Sequence, residues 1–343
     1  MSNIGVTSMP KTYKSFANAN KALVDTAFKK GQDYRKGIFY MDSTENWEDR
    51  IVEIGGIEDY GVWDDGDRAK QSSISEGYSK VFTQVPFGNE VPIGRLMRKF
   101  QGKSVNITRR ASIQLGNRAY RLMQKAAFSI PSYGFSTTNT YLTGITGTTV
   151  SALGPDGVNF FSSAHPCSPT NSTTFSNVDT TSKPVGGTGL DNLLQGLFDQ
   201  KDDQGEKEHF GTGGVIWGVG REGWATAKKL VTGELAAETS DNDQNPYNNS
   251  KTATGAYNGS DVEVKLIPWL SDVSSTAHFV VAKEVIDERM PVCVLTNEQF
   301  YVDDYMDDST KTAYIRGQMN FSVGFVSGRG YHGSNGTEVT YSS

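Results

Sequence analysis

The sequence predicts a mixed fold of helices and strands arranged as two packed lobes, and three observations predict it. The chain has 343 residues, more than the roughly 100 to 200 that one hydrophobic core typically organises. Residues 105–130 contain no proline and place Leu115, Ala119, Leu122, Met123, Ala126 and Ile130 at three- and four-residue steps, the pattern of a long amphipathic helix. Short apolar or alternating runs, among them Val262-Glu263-Val264-Lys265-Leu266 and Phe279-Val280-Val281-Ala282, read as strands.

The elements follow in order. Residues 11–30 mix Tyr13, Phe16, Ala17, Leu23, Val24, Ala27 and Phe28 with polar positions, which predicts an amphipathic helix stopped by Gly31. Residues 37–47 are poor in helix formers and read as an extended arm with little core of its own. Ile51-Val52-Glu53-Ile54 and Val81-Phe82-Thr83-Gln84-Val85 flank the polar tip Asp64-Asp65-Gly66-Asp67-Arg68, predicting a long hairpin. A two-stranded ribbon is marginal alone and needs another surface, such as a neighbouring subunit. The helix at 105–130 is a rod of roughly 38 Å at 1.5 Å per residue, with Pro131 expected to end it and Arg109, Arg110, Arg118, Arg121 and Lys125 on its polar face. Beyond it come a Gly/Thr/Ser/Asn-rich stretch to about 189, helices at 190–198 and 222–235, a buried strand at 214–217 and a polar loop at 241–259. Strands at 262–266, 279–282, 292–295 and 313–326 follow, the last long enough for one extended strand or a bent pair.

Composition sets bounds on function. Hydrophobic residues make up 36% and the 37 glycines bring this to about 47%, within the range of soluble domains. Glycine itself is in excess and concentrated after Gly134, so that half reads as loop-rich and all-β or mixed. A net charge of -6 and a pI near 5.4 argue against a strong phosphate-binding surface, so DNA it meets is not gripped tightly. Cys167 and Cys293 stand far apart without CxxC spacing, giving neither a disulfide framework nor a zinc knuckle, and a reducing cytoplasm is the simpler setting. No apolar run reaches the roughly 18 residues of a membrane span and no signal-peptide core follows Met1, so the chain is expected to fold where it is made.

The segment Asp156-Gly157-Val158-Asn159-Phe160-Phe161-Ser162-Ser163-Ala164-His165-Pro166 resembles one found after the long helix in the major head subunits of tailed bacteriophages, including the Mu-like group. The order of arm, hairpin, long helix, this segment, helix, Gly-flanked strand and the polar loop with Asn245-Pro246-Tyr247 is similar to that family over most of the chain. The resemblance implies an α+β fold of the Hong Kong ninety-seven type. It implies an N-terminal arm (1–47), an extended β-hairpin E-loop (48–100), a peripheral domain with its spine helix at about 105–130 (101–188), an axial domain (189–300), and a return to the peripheral domain with a C-terminal tail (301–343). It further implies a structural protein without catalytic, cofactor or metal sites. Such a subunit self-assembles as hexamers and pentamers into the icosahedral head that encloses the DNA genome, with scaffold, portal and decoration proteins as further partners and no membrane. Its place is the virion capsid, after assembly in the host bacterial cytoplasm. Met1 begins almost directly on the arm, so a separate scaffold, or none, is expected.

Other motifs are weighed beside this. Gly218-Val219-Gly220-Arg221-Glu222-Gly223 matches GxGxxG between a strand and a helix, which keeps a nucleotide-binding enzyme as the alternative. The helix after it leads into a polar loop rather than promptly into a second parallel strand, and Glu238 or Asp241 falls in that loop, so a packed strand-to-helix turn is the plainer reading. Gly102-Lys103-Ser104 lacks the first P-loop glycine, since Met97 stands there. His165 near Ser162 and Ser163 lacks a GxSxG elbow and reads as a loop-fixing histidine. Asp202, Asp203, Glu206, Glu208 and His209, and likewise Asp241, Asp243 and Asn245, read as solvated loops, Pro246 standing where a calcium loop needs glycine. Asp64, Asp65, Asp67 and Arg68 at the hairpin tip are candidates for intersubunit contact, with Arg95, Arg98 and Lys99 as the facing set. Another phage structural subunit, of tail tube or decoration type, shares this composition but should lack a long helix after a long hairpin.

Overall fold

The computed structural model describes residues 11–54, 62, 68, 70, 76–94, 107–232, 261–272 and 275–336. Helix α1, Lys11–Lys29, comes first, and buries Val24 and Ala27. The arm that follows is better anchored than its composition suggests: Ile38 and Phe39 are buried in the main core, and Tyr331 Oη donates to the Ile38 carbonyl. Strand β1, Tyr40–Ser43, then runs parallel to a strand some 250 residues later, as described below. Strands β2, Glu48–Ile54, and β3, Glu76–Thr83, pair antiparallel from Glu48↔Thr83 to Ile54↔Glu76, the expected ribbon. At Val85 the chain leaves the ribbon as β4, Val85–Ile93.

The long helix is present as α2, Ile107–Ser132. Leu115, Ala119, Met123, Ala126 and Ile130 are buried at the expected three- and four-residue steps, Leu122 is half-buried, and Phe128 is buried beside them. Pro131 does not end it but sits in the last turn. A proline there forfeits a single backbone bond while its fixed φ suits the helix, and the chain closes with Tyr133 N–H on the Ser129 carbonyl. α1 lies along α2, and their approach is so close that a Cβ on Gly116 would fall 2.3 Å from the Val24 carbonyl oxygen.

A short helix α3, Thr140–Thr146, capped by the Asn139 side chain, leads into the ribbon of β5, His165–Ser168, and β6, Asn171–Phe175. Helix α4 is Gly187–Phe198, β7 is Val215–Val219, and α5 is Trp224–Thr232. β8 is Val262–Leu266, β9 is His278–Ala282, and helix α6 is Lys283–Glu288. The long strands β10, Val292–Asp307, and β11, Thr312–Phe325, precede β12, Tyr331–Ser334. β11 is one continuous strand, not a bent pair. Register shifts between Thr296 and Tyr301 put the irregularity in β10 instead.

Two sheets organise these strands. In the order β1-β10-β11-β4, β1 is parallel to β10 and the rest are antiparallel. In the order β12-β9-β7-β8, β8 is parallel to β7. The first sheet is half-buried, which explains the strict alternation along β11, whose Ala313, Ile315, Met319 and Phe321 point inward with the buried face of α2. The second is covered on both faces, hence the wholly buried β7 and β9. Ile216, Phe279 and Val281 join the core shared with α2, and Val215, Trp217, Val219 and Val280 pack with the leucines of α4 and α5. Two buried clusters thus lie on the two faces of this sheet.

Candidate functional site

The β2–β3 ribbon has the asymmetry of an element made to be covered. At its root Phe82 is buried among Cys293, Leu295 and Val326, and Lys80 Nζ lies 5.0 Å from the Phe325 ring centre. The opposite face carries Glu48, Arg50, Val81 and Thr83, all exposed. Arg50 donates to Ser79 Oγ at 3.2 and 3.0 Å, Thr83 donates to Glu48 at 3.2 Å, and between them Val81 is 54% exposed, as is Trp47 at the base. Polar cross-strand pairs line this face while Val81 remains in water.

What fixes this ribbon to the body is a buried charge cluster. Glu53, at the end of β2, accepts from Arg329 Nη1 at 2.8 Å, and Asp203 Oδ1 lies 2.5 Å from the same nitrogen. The guanidinium also donates through Nε to the Lys201 carbonyl at 3.1 Å and through Nη2 to the Cys167 carbonyl, and it lies over the Phe175 ring, 5.1 Å from its centre. All three charged side chains are 2% exposed or less. A buried ion needs this degree of pairing, and the planar fork of arginine supplies it to three segments at once. Burial pushes the Glu53 carboxyl upward, opposed by Arg329. Glu208, paired with Arg289, is likewise raised by burial against that arginine's pull. The solvated-loop expectation therefore holds for Asp202, which caps the Gln204 and Glu206 amides at 2.9 and 2.8 Å, and fails for Asp203 and Glu208, whose arginine partners lie too far away in sequence to be foreseen.

The Asp156 to Pro166 segment is a structural clamp. His165, 1% exposed, places Nδ1 2.6 Å from Asp156 Oδ2 and Nε2 3.3 Å from the Phe160 carbonyl, so both ring nitrogens are engaged away from Ser162 and Ser163. Asn177 completes the clamp, donating to the Phe160 and Gly328 carbonyls at 2.7 and 3.0 Å and accepting from the Ser162 amide at 2.7 Å. Phe160 and Phe161 are thereby set into the main core.

The glycine turn is filled by protein. A Cβ on Gly218 would come 2.6 Å from Ile267 Cδ1, on Gly220 2.6 Å from Ser271 Oγ, and on Gly223 2.6 Å from Val185 Cγ2. The Arg221 amide, which a phosphate would need, donates to Ser271 Oγ at 2.9 Å. A second parallel strand does follow, since β8 lies beside β7, but the loop with Glu238 and Asp241 lies outside the described residues. Close packing accounts for all three glycines.

Of the residues expected to meet a neighbour, Arg68 is exposed. Asp64, Asp65, Asp67, Arg95, Arg98 and Lys99 lie outside the described residues, as do Gly102-Lys103-Ser104 and the Asp241, Asp243 and Asn245 set. Among the described residues, no three His, Cys, Asp or Glu side chains are grouped to hold a metal ion, both cysteines are free and buried, and no helix is long and apolar enough to cross a membrane. Sequence reading missed Arg329 and Glu53 because their partnership spans 276 positions. A charged residue within a glycine-rich apolar stretch was the only signal.

The β1-β10-β11-β4 sheet crossed by α2, the β2–β3 ribbon and the second, helix-covered sheet make an α+β fold, and its likeness to solved structures shows it to be that of Hong Kong ninety-seven type phage capsid proteins. The chain is similar to the capsid structure of the cyanophage P-SCSP1u, with TM-score 0.51, 10% identity, and 88% of this chain and 87% of that chain covered. It is similar also to a chain of Mycobacterium phage Patience, with TM-score 0.50, 10% identity, and 94% and 86% covered. No family model matches the sequence, and no curated protein matches it.

Proposed function

We infer that this chain is the major capsid subunit of a tailed bacteriophage, a structural protein that self-assembles as hexamers and pentamers into the shell enclosing the genome. The observation that carries the reading is the ribbon: clamped at its root through Glu53 and Arg329, it leaves its other face, with Val81, in water. Ordering such an element costs conformational entropy that the isolated chain does not recover, and a neighbouring subunit lying against it would.

In this reading residues 1–47 are the arm, 48–100 the overlapping E-loop, 101–188 and 301–343 the peripheral domain, and 189–300 the axial domain lining the ring. The tip acids Asp64, Asp65 and Asp67 reach Arg95, Arg98 and Lys99 of an adjacent copy, and Arg68 is a further contact residue. The Asp156 to Pro166 segment supports placement in the Mu-like group. Assembly in the host cytoplasm, with scaffold, portal and decoration partners, belongs to the same proposal. The nucleotide-enzyme alternative loses its support because the glycine turn is packed from Ile267, Ser271 and Val185.

The test is sedimentation and negative-stain electron microscopy of the purified full chain at neutral pH, with and without added salt or crowder. Rings, tubes or closed shells are expected. A small monodisperse species in every condition contradicts the proposal.

A further inference from the structure

The charge of this protein is segregated. Helix α2 carries Arg109, Arg110, Arg118, Arg121 and Lys125 and no acidic residue, so it contributes +5 to a chain whose net charge is -6, and everything else carries -11. At about 100° per residue, Arg110, Arg118, Arg121 and Lys125 fall within an arc of about 80°, along about 22 Å of axis. Arg110, Arg118 and Arg121 are exposed, as are Gln114 and Asn117 within the same stripe. The far side of the layer is mixed in charge. On the outer face of the first sheet Tyr305 stacks on Tyr314 at 4.8 Å and donates to Glu90 at 3.0 Å, with Asp303 close by and Arg316 drawn to it at 3.5 Å.

We propose that the exposed stripe of α2 is a contact surface for the phosphodiester backbone of duplex DNA, sequence-independent and weak per subunit. The occupant is argued from charge. A row of guanidinium groups flanked by amide side chains offers hydrogen-bond donors at spacings that a duplex, with a phosphate every few ångströms, can meet at several points. On the other side of the layer the acids Glu90 and Asp303 are interleaved with Arg316, so among the described residues only the α2 side offers this row of cations. Overall acidity hides the surface from composition alone. The inference deepens the shell reading by specifying which side of the peripheral layer faces the genome, but DNA binding is measured on the unassembled full-length subunit and does not depend on shell closure.

The experiment is fluorescence anisotropy of a labelled 30-base-pair duplex against the soluble chain from 50 to 200 mM salt. Three phosphate contacts predict a slope of log K on log salt near about -2.7, roughly a 40-fold loss of affinity across that range. R110Q/R118Q/R121Q should abolish most of the slope, and R110K/R118K/R121K should keep it. K207Q/K228Q/K229Q, which removes equal charge from exposed positions elsewhere, should leave it unchanged. No binding at 50 mM, equal loss in the elsewhere-charged control, or binding only to a second copy of the chain overturns the proposal. Shell formation by the unaltered chain is scored separately by microscopy: subunits that close shells without binding DNA refute this inference alone, and subunits that bind DNA but never assemble refute the shell reading alone.

Discussion

Replacing Arg329 with methionine removes the only cation within 2.8 Å of Glu53 and Asp203 among the contacts described and strands the Cys167 and Lys201 carbonyls. Breaking a buried ion pair from one side costs about 3 to 5 kcal/mol. The orphaned carbonyls add to this, while Glu53 relieves part of it by taking a proton, since burial already raises its carboxyl. A net loss of about 4 kcal/mol follows, a large share of the roughly 5 to 15 kcal/mol that holds a typical domain folded. Urea unfolding of the unassembled subunit, followed by tryptophan fluorescence, reads this as a lower midpoint. The companion variant R329M/E53M/D203L replaces the whole cluster with apolar side chains and should recover most of the loss, since an apolar isostere of a buried ion cluster is nearly neutral. E53Q alone should cost only about 1 kcal/mol, because it keeps an acceptor for Arg329. A loss below about 1 kcal/mol for R329M, or a triple variant no better than the single, would refute the reasoning that this cluster clamps the ribbon.

Other consequences are open to simple measurement. Burial depresses His278 and His332 to about 4, so between pH 6.5 and 4 the unfolded chain takes up protons that the folded chain refuses. Stability should therefore fall as pH drops through that window, by about 3 kcal/mol per histidine at most, and urea midpoints at pH 7, 5.5 and 4 that do not move would contradict it. Glu53 acts with the opposite sign, its contribution present at low pH and lost as pH rises, so E53Q should steepen the net acid loss. Gly116→Ala puts a Cβ 2.3 Å from the Val24 carbonyl. Overpacking should cost about 1 to 3 kcal/mol of stability despite alanine's better helix propensity, read as a lower thermal midpoint, and a stabilised variant would show that α1 does not press on α2 as described. Val81→Asp changes an exposed site, so subunit stability should stay within about 0.5 kcal/mol while assembly, scored by sedimentation, is lost.

Local periodicity made much of this architecture legible. The three- and four-residue steps of α2 report a face turned to the core, and that helix and the long strand β11 both emerged within a few residues of expectation. Pairings across long stretches of chain did not. β1 beside β10, with Tyr40 opposite Cys293, and β4 along β11 join segments whose own composition says only that they are extended. The same limit hid the ribbon's anchor. Glu53 reads as one polar residue of a β-like run, and Asp203 as one acid of a polar loop, until the fold brings Arg329 between them. The polar side of α2 was visible in the sequence as five cations, but its meaning was averaged away by a net charge of -6. Charge distribution over surfaces, unlike charge itself, is a property of the folded chain. The glycine turn shows the converse: a motif with the right local context, whose cradle is closed by Ser271, about fifty positions on.

In the proposed function the ribbon's exposed face is completed by a second copy of this chain. Cryo-electron microscopy of particles assembled from the purified subunit tests it directly. Closed shells are expected in which density from a neighbouring subunit covers Arg50, Val81 and Thr83 on every ribbon. Particles whose ribbons stand free in solvent, or a chain that remains monomeric at every concentration examined, would contradict it.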